Sequence, residues 1–192
     1  MLTLLLLLRH AKSSWDLAVA SDHERPLAKR GMIAAPLIAD HMAQHGWNPD
    51  HVLCSTAVRT RATLSLVLPR LQATPDISFD NDLYLADADQ LLDRIKRLPR
   101  ASTCAMLIGH NPGFEELARM LAGGGNAVAL AALDKKFPTA GLAVITFDCD
   151  AWADVGPGKG LLCAFVTPRS LATAGGLSED AGSSEDSGSS ED

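Results

Sequence analysis

Residues 2–8 read LTLLLLL and lead directly into Arg9 and His10, and this stretch decides the fold of the chain. No Lys or Arg precedes the leucines and Arg9 ends the apolar run, which is not the pattern of a signal peptide. The run is also far too short to cross a bilayer. A short apolar run closed by polar groups is typical of a strand buried in a parallel sheet. We therefore expect an interior first strand and no membrane partner.

The remainder of the chain alternates short apolar runs with segments whose apolar residues recur at helical spacing. The runs predict further strands at residues 51–54, 76–79, 103–108, 141–147 and 161–166. The amphipathic segments predict helices at residues 31–45, 57–71, 87–98 and 112–121. Strands that alternate with helices imply an α/β fold with a mostly parallel central sheet. The expected architecture is a three-layer α/β/α sandwich.

The last part of the chain differs from the rest in composition. From residue 172 it includes the quasi-repeat SEDAGS, SEDSGS, SED, and no large apolar residue follows Leu177. Such a segment buries too little surface to offset the entropy lost on ordering. We expect one domain at residues 1–171 and a disordered acidic tail at residues 172–192.

The net charge of -6 comes from this tail. Six of the 23 acidic residues lie there, so the body of the chain has 17 acids against 17 bases. A near-neutral body lacks the basic surface of a nucleic-acid-binding protein, and we expect no nucleic-acid partner. The sequence gives no indication of the oligomeric state.

The cysteine pattern bears on metal binding and on cellular compartment. Four cysteines lie in or beside apolar runs and none forms a C-x-x-C pair, namely Cys54, Cys104, Cys149 and Cys163. This pattern predicts buried free thiols and a reducing, cytoplasmic location. The ligand spacing of a zinc site is missing, so we expect no metal.

Three polar segments directly follow predicted strands: Arg9-His10, residues 55–59 and Gly109-His110. The carboxyl ends of parallel strands meet loops at one edge of a sheet, where binding sites form. Two arginines and two histidines would meet there without a matching group of acids, which favours a tetrahedral oxyanion as ligand. Gly109 and Gly113 would let the backbone approach that ligand closely.

The same segments resemble three motifs of the histidine phosphatase superfamily. Residues 8–11, LRHA, are similar to its R-H-G motif, with Ala11 where glycine is usual. Residues 55–63, STAVRTRAT, resemble its S-P-x-x-R-A-x-x-T motif, with threonine for proline. Residues 108–112, IGHNP, resemble its second-histidine motif. The small size and residues 22–27, DHERPL, are more similar to the SixA-type phosphohistidine phosphatases.

This resemblance covers residues 3–167 and implies a phosphoglycerate mutase-like fold and phosphatase activity without metal or cofactor. It implies that His10 attacks phosphorus and becomes phosphohistidine. It also implies that Arg9, Arg59 and His110 hold the nonbridging oxygens. The physical chemistry agrees, because phosphoryl transfer depends on in-line positioning and on stabilised charge, which arginines supply.

Two further residues are assigned less directly. Superfamily members of this branch often carry a general acid after the second helix, and Asp82 occupies a comparable place here. We expect Asp82 to be that acid, with a solvated loop acid as the alternative. Arg25 is expected either to contact the substrate phosphate at the mouth of the site or to be a surface residue paired with Glu24 or Asp22.

The sequence leaves two classes of substrate open. An imidazole leaving from a P–N bond needs less help from an acid than an alkoxide does. The 27 residues between Asp82 and His110 also leave little chain for a lid. Both points favour a phosphorylated protein that carries phosphohistidine. The alternative partner is a small phosphate ester such as a sugar phosphate or nucleotide, and a phosphate-binding domain without turnover is the third possibility.

Overall fold

Strand β1 (Leu2–Arg9) lies in the middle of the sheet, as its leucines predict. The computed structural model describes residues 2–15, 21–72 and 74–174. The other strands in these residues are β2 (His51–Ser55), β3 (Asp76–Asp80), β4 (Cys104–Gly109), β5 (Ala122–Gly125), β6 (Leu142–Asp148) and β7 (Gly160–Val166). The described strands form one sheet in the order β3-β2-β4-β1-β6-β7-β5.

The sheet is mostly parallel. Strands β3, β2, β4 and β1 run in one direction, and β5 pairs in parallel with β7. Strand β6 is antiparallel to both of its neighbours, β1 and β7. Because β2, β4 and β1 are adjacent and parallel, their carboxyl ends lie side by side at one edge.

Helices cover both faces of the sheet. Those in the described residues are α1 (Lys29–Gln44), α2 (Val58–Val67), α3 (Ala88–Lys96), α4 (Gly113–Leu121), α5 (Ala127–Lys135) and α6 (Pro168–Ala174). Alternate residues of β1 point to opposite faces, so Leu6 and Leu8 pack with residues of α1 and α2. Leu5 and Leu7 pack with residues of α3, α4 and α5. The predicted three-layer sandwich is therefore confirmed.

The structure adds elements that periodicity did not predict. The glycines at 123–125, which follow the predicted helix at residues 112–121, form most of the edge strand β5. A side chain at Gly123 would collide with the carbonyl oxygen of Gly158, so only glycine permits this close approach. Helix α5 begins after Asn126, whose side chain accepts hydrogen bonds from the first turn. Its sequence is nearly all small and apolar, which hides the helical period.

Several expectations concern the ends and the cysteines. Helix α6 continues to Ala174, so the predicted domain boundary at residue 171 falls inside a helix. The predicted disordered tail lies, from residue 175 onward, outside the described residues. All four cysteines are free, as predicted, but only Cys54 is buried; Cys104 and Cys149 are half-buried and Cys163 is exposed. Within the described residues, no helix is long and apolar enough to cross a membrane.

Candidate active site

The carboxyl ends of β1, β2 and β4 bring the sequence-predicted residues together. His10 directly follows β1, and its backbone N–H donates to the carbonyl of Gly109 at the end of β4. The ring centroids of His10 and His110 are 5.2 Å apart. Arg59 lies in the first turn of α2, which follows β2, and its Nη2 is 3.3 Å from Nδ1 of His110. Arg9 is the last residue of β1. The four residues predicted from three separate segments form one cluster.

His10 is buried, with 7% of its surface exposed. Its Nδ1 lies 2.7 Å from the carbonyl oxygen of Ala11. A carbonyl only accepts, so Nδ1 carries the proton and Nε2 of the neutral ring keeps its lone pair. Burial is the main cause that lowers the pKa of His10 to about 4. The hydrogen bond to Ala11 raises this pKa, and the charge of Arg59 lowers it. The ring is therefore neutral and nucleophilic at physiological pH.

His110 is held in the other tautomer. Arg59 only donates, so Nδ1 of His110 accepts and Nε2–H donates to Oγ of Ser55 at 2.9 Å. Burial and the neighbouring His10 lower the pKa of His110 to about 3. Ser55 is fully buried at the end of β2 and fixes the ring. This partner was not identified as functional from the sequence, although it begins the motif at residues 55–63.

Arg59 is 3% exposed, and its guanidinium has several acceptors. Its Nη1 donates to the backbone carbonyl of Asp22 at 2.5 Å, and its Nη2 to the carboxylate of Asp22 at 2.9 Å. The backbone of the same helix turn is tied to the loop after β1, because Thr63 Oγ1 donates to the carbonyl of Arg59 and accepts from N–H of Ala11. Arg59 is thus fixed by contacts on two sides.

The Asp22 carboxylate is the acid that the structure places in the cluster. It accepts from Arg25 at 2.6 Å, from Arg59 at 2.9 Å and from the hydroxyl of Tyr84 at 2.7 Å. The Tyr84 ring meets that of His110 edge to face at 5.2 Å. Sequence reasoning considered Asp22 only as a partner of Arg25, and missed Tyr84. The spacing of Asp22 and Arg25 within a short polar segment was the available signal.

Arg9 is held differently from Arg59. Its Nη1 donates to the carbonyl oxygen of Phe137 at 2.6 Å, an acceptor that it shares with the Asn111 side-chain amide. Its Nε is buried without a hydrogen-bond partner among the described residues. Burial lowers the pKa of Arg9, Glu115 opposes this, and Arg59 lowers the pKa further. Glu115 also accepts from Asn111 at 2.9 Å, which orients that amide.

Arg25 is buried, not a surface residue, and it is paired with Asp22 rather than Glu24. Its guanidinium also donates to Oγ of Ser13 at 2.6 Å. The guanidinium carbon lies 3.2 Å from the ring centroid of Trp15, which is 73% exposed. Arg25 therefore links the cluster to an exposed aromatic residue at its outer side.

Asp82 is not hydrogen-bonded to this cluster among the described residues. It is exposed in a short 3-10 turn at Asn81–Leu83, and its backbone N–H donates to the side chain of Asp80. No hydrogen bond or ion pair joins its carboxylate to the clustered residues within the described part of the chain. The geometry therefore agrees with the alternative interpretation, a solvated loop acid, and gives no support to Asp82 as the acid of the site.

The glycines of the second-histidine segment serve packing within the chain. A Cβ on Gly109 would meet the Phe114 ring, and one on Gly113 would meet the backbone carbonyl of Ala86. The structure thus gives both glycines a packing role, and their expected role in the close approach of a ligand stays a prediction. Among residues 2–15, 21–72 and 74–174, no group of three or more His, Cys, Asp or Glu side chains is arranged to hold a metal ion.

Comparison with known proteins agrees with this geometry. A model of the family described as histidine phosphatase superfamily (branch 1) matches residues 5–84. An uncharacterized protein of Mycobacterium tuberculosis is 36% identical over 164 residues, which cover 84% of this chain and all of that protein.

Two solved structures are similar over nearly their whole length. One from Agrobacterium tumefaciens, described as a proposed phosphohistidine phosphatase SixA, is 32% identical with a TM-score of 0.71 and covers 86% of this chain and 99% of its own. A second, from Nakamurella and described in the same terms, is 25% identical with a TM-score of 0.74. It covers 88% of this chain and 97% of its own.

Proposed function

The chain belongs to the histidine phosphatase superfamily and is a phosphatase, and we propose that it removes phosphoryl groups from phosphohistidine side chains of other proteins. The observation that carries the proposal is the neutral, buried His10 within a cluster of arginines. Its Nε2 lone pair is the nucleophile. The structure described as SixA from Agrobacterium tumefaciens supports the choice of substrate.

In the first step, Nε2 of His10 forms a bond to phosphorus as the bond from phosphorus to the substrate nitrogen breaks. Arg9 and Arg59 hold nonbridging oxygens and stabilise their charge, and His110 holds another once the bound phosphate favours a proton on its Nδ1, which in the free protein accepts from Arg59. A water molecule then attacks the phosphohistidine, the bond to Nε2 breaks, and inorganic phosphate leaves. The covalent intermediate divides one difficult displacement into two easier ones.

The arrangement of acids supports a phosphorylated nitrogen as substrate. An alkoxide leaving group needs a proton from a nearby acid, whereas an imidazole needs much less help. Asp82 is exposed, and no hydrogen bond or ion pair joins its carboxylate to the cluster among the described residues. The arginines supply the positive charge, so we expect activity to persist in the presence of a chelator. A phosphorylated protein in the cytoplasm is the proposed partner, in keeping with four free cysteines.

The test compares wild type with His10→Ala, both with chelator, on a histidine-phosphorylated protein, on p-nitrophenyl phosphate and on a sugar phosphate. Wild type should prefer the phosphorylated protein, and the variant should lose turnover of all three. Near-normal turnover by His10→Ala would contradict the assigned nucleophile. A wild-type preference for the esters would leave the mechanism in place and replace the substrate by a small phosphomonoester.

A further inference from the structure

The carboxylate of Asp22 stands at the outer side of the cluster, where 44% of its side chain is exposed. Arg25 donates to its Oδ1, while Arg59 and Tyr84 donate to its Oδ2. A carboxylate has about four lone-pair positions. With these three donors in place, Oδ1 keeps a position for one more hydrogen bond from the solvent side.

Asp22 is an acceptor that cannot act as an acid. Partial burial raises its pKa, but the hydrogen bonds from Tyr84 and Arg25 and the charge of Arg59 outweigh this. The pKa therefore lies well below its usual range, and the group is ionised at any pH at which the protein would work. A fixed negative charge beside a phosphate site needs an explanation, because it repels the phosphate dianion.

We propose that Asp22 accepts a hydrogen bond from the leaving group and so selects substrates whose leaving group carries an N–H. The inference rests on the proposed function, since it takes His10 as nucleophile and a phosphorylated imidazole as substrate. Asp22 is then a specificity-determining residue that Arg25 and Tyr84 hold in position.

The chemistry of the imidazole ring shows why an acceptor suits this place. In its protonated form, a phosphorylated imidazole carries the proton on the ring nitrogen that is not bonded to phosphorus. When Nε2 of His10 forms its bond to phosphorus, the P–N bond breaks and its electron pair returns to the ring. The ring leaves as neutral imidazole and keeps its N–H, so no proton transfer is needed. Asp22 stabilises that ring while it is still positively charged.

The same carboxylate disfavours an ordinary ester. An alkyl phosphate places developing negative charge on its leaving oxygen, which an ionised Asp22 would repel and cannot protonate. The selection therefore has an attractive part for imidazole and a repulsive part for alkoxide.

The experiment measures kcat/KM for phosphoimidazole and for p-nitrophenyl phosphate in the full chain and its Asp22→Asn variant. Glu24→Gln is the matched control, because Glu24 is an exposed acid in the same 3-10 helix and no ion pair involves it within the described residues. Asp22→Asn should lower the ratio of the two values about tenfold or more, as expected when a hydrogen bond to a charged group is lost. Glu24→Gln should leave the ratio unchanged, and Asp22→Glu should restore most of it.

A second measurement changes the substrate and uses only the wild-type protein, so it does not depend on the folding of a variant. In N-methylated phosphoimidazole the second ring nitrogen carries a methyl group, so the ring still leaves neutral but has no N–H. Wild type should prefer the unmethylated substrate about tenfold after division by the uncatalysed rates. Equal corrected rates for the methylated and unmethylated substrates would overturn the inference. An equal loss of kcat/KM on phosphoimidazole and p-nitrophenyl phosphate in Asp22→Asn would also overturn it and would leave Asp22 only the role of holding Arg59 in position. Failure of wild type to cleave phosphoimidazole at all would instead overturn the proposed function, and this inference with it.

Discussion

Arg59 and Arg9 belong to the same site, but the protein holds them in opposite ways. Arg59 is engaged by the backbone and carboxylate of Asp22 and by His110. Arg9 has one backbone carbonyl for Nη1, and its Nε is buried without a partner among the described residues. A buried donor without a partner costs about 1–3 kcal/mol.

The difference teaches how the free enzyme prepares for phosphate. At Arg9, the guanidinium has only one acceptor among the described residues, so a bound phosphate adds hydrogen bonds there without displacing a carboxylate. At Arg59, a phosphate oxygen competes with Asp22 for the same guanidinium. We therefore expect Arg9 to contribute more to phosphate binding and Arg59 to couple binding to the position of Asp22.

Of the two arginines, Arg9 should show the larger effect. Arg9→Ala should lower kcat/KM about 1000-fold, at the upper end of the cost of losing one oxyanion donor. Arg9→Lys should recover only part of this, because an ammonium lacks the Nε donor and the planar fork. Steady-state kinetics on p-nitrophenyl phosphate measures both. A smaller loss of kcat/KM in Arg9→Ala than in Arg59→Ala would contradict the proposed difference between the two arginines.

Arg59→Ala should lower kcat/KM about 100-fold. Part of this loss should come from Asp22, whose charge then repels the phosphate without a neighbouring cation. The double variant Arg59→Ala/Asp22→Asn should therefore be less impaired on p-nitrophenyl phosphate than the two separate losses predict. Simple additivity of the two free-energy changes would show that Asp22 and Arg59 act independently.

For the pKa of His10 the order of the two arginines should be reversed, with Arg59 having the larger effect. Both lower its pKa, and the charge of Arg59 has the larger share. Removing a positive charge favours the protonated ring, so the pKa of His10 should rise from about 4 in both variants, and further in Arg59→Ala. NMR titration of the imidazole signals checks this, and the urea-unfolded chain gives the reference histidine pKa of about 6.5. An unperturbed His10 in the folded wild type would contradict the account.

The smallest effect is expected at Asp82. Asp82→Asn should change kcat/KM by no more than about twofold, as for a surface substitution away from the site. Kinetics on p-nitrophenyl phosphate and on a histidine-phosphorylated protein would measure it beside Asp22→Asn. A large loss confined to the ester would restore Asp82 as a general acid.

The sequence predicts what depends on local pattern. The leucines at residues 2–8 predict an interior strand, and polar residues directly after strands predict which side chains meet at the sheet edge. That prediction holds because adjacent parallel strands leave no choice about where their carboxyl ends lie. The meeting of Arg9, His10, Arg59 and His110 at one edge of the sheet is therefore predictable from the sequence alone.

What the sequence leaves out depends on contacts between distant segments. Asp22, Arg59 and Tyr84 meet only in the folded chain, since 37 and 62 residues separate Asp22 from its two partners. Asp82 was assigned from its position along the chain, which does not reveal whether its carboxylate is hydrogen-bonded to the other site residues. Strand β5 is not evident in the sequence pattern because a position such as Gly123 is set by the close approach of Gly158, a contact with a distant segment, and not by strand periodicity.

The central claim is that His10 accepts the phosphoryl group, and trapping the intermediate tests it most directly. Wild type mixed with a histidine-phosphorylated protein is denatured in alkali within milliseconds to seconds and digested, and the site of phosphorylation is located by mass spectrometry. The account predicts one transient phosphoryl group on His10, which is absent from His10→Ala. Turnover by wild type with no phosphoryl group on His10 at any time, or with the group on another residue, would contradict it.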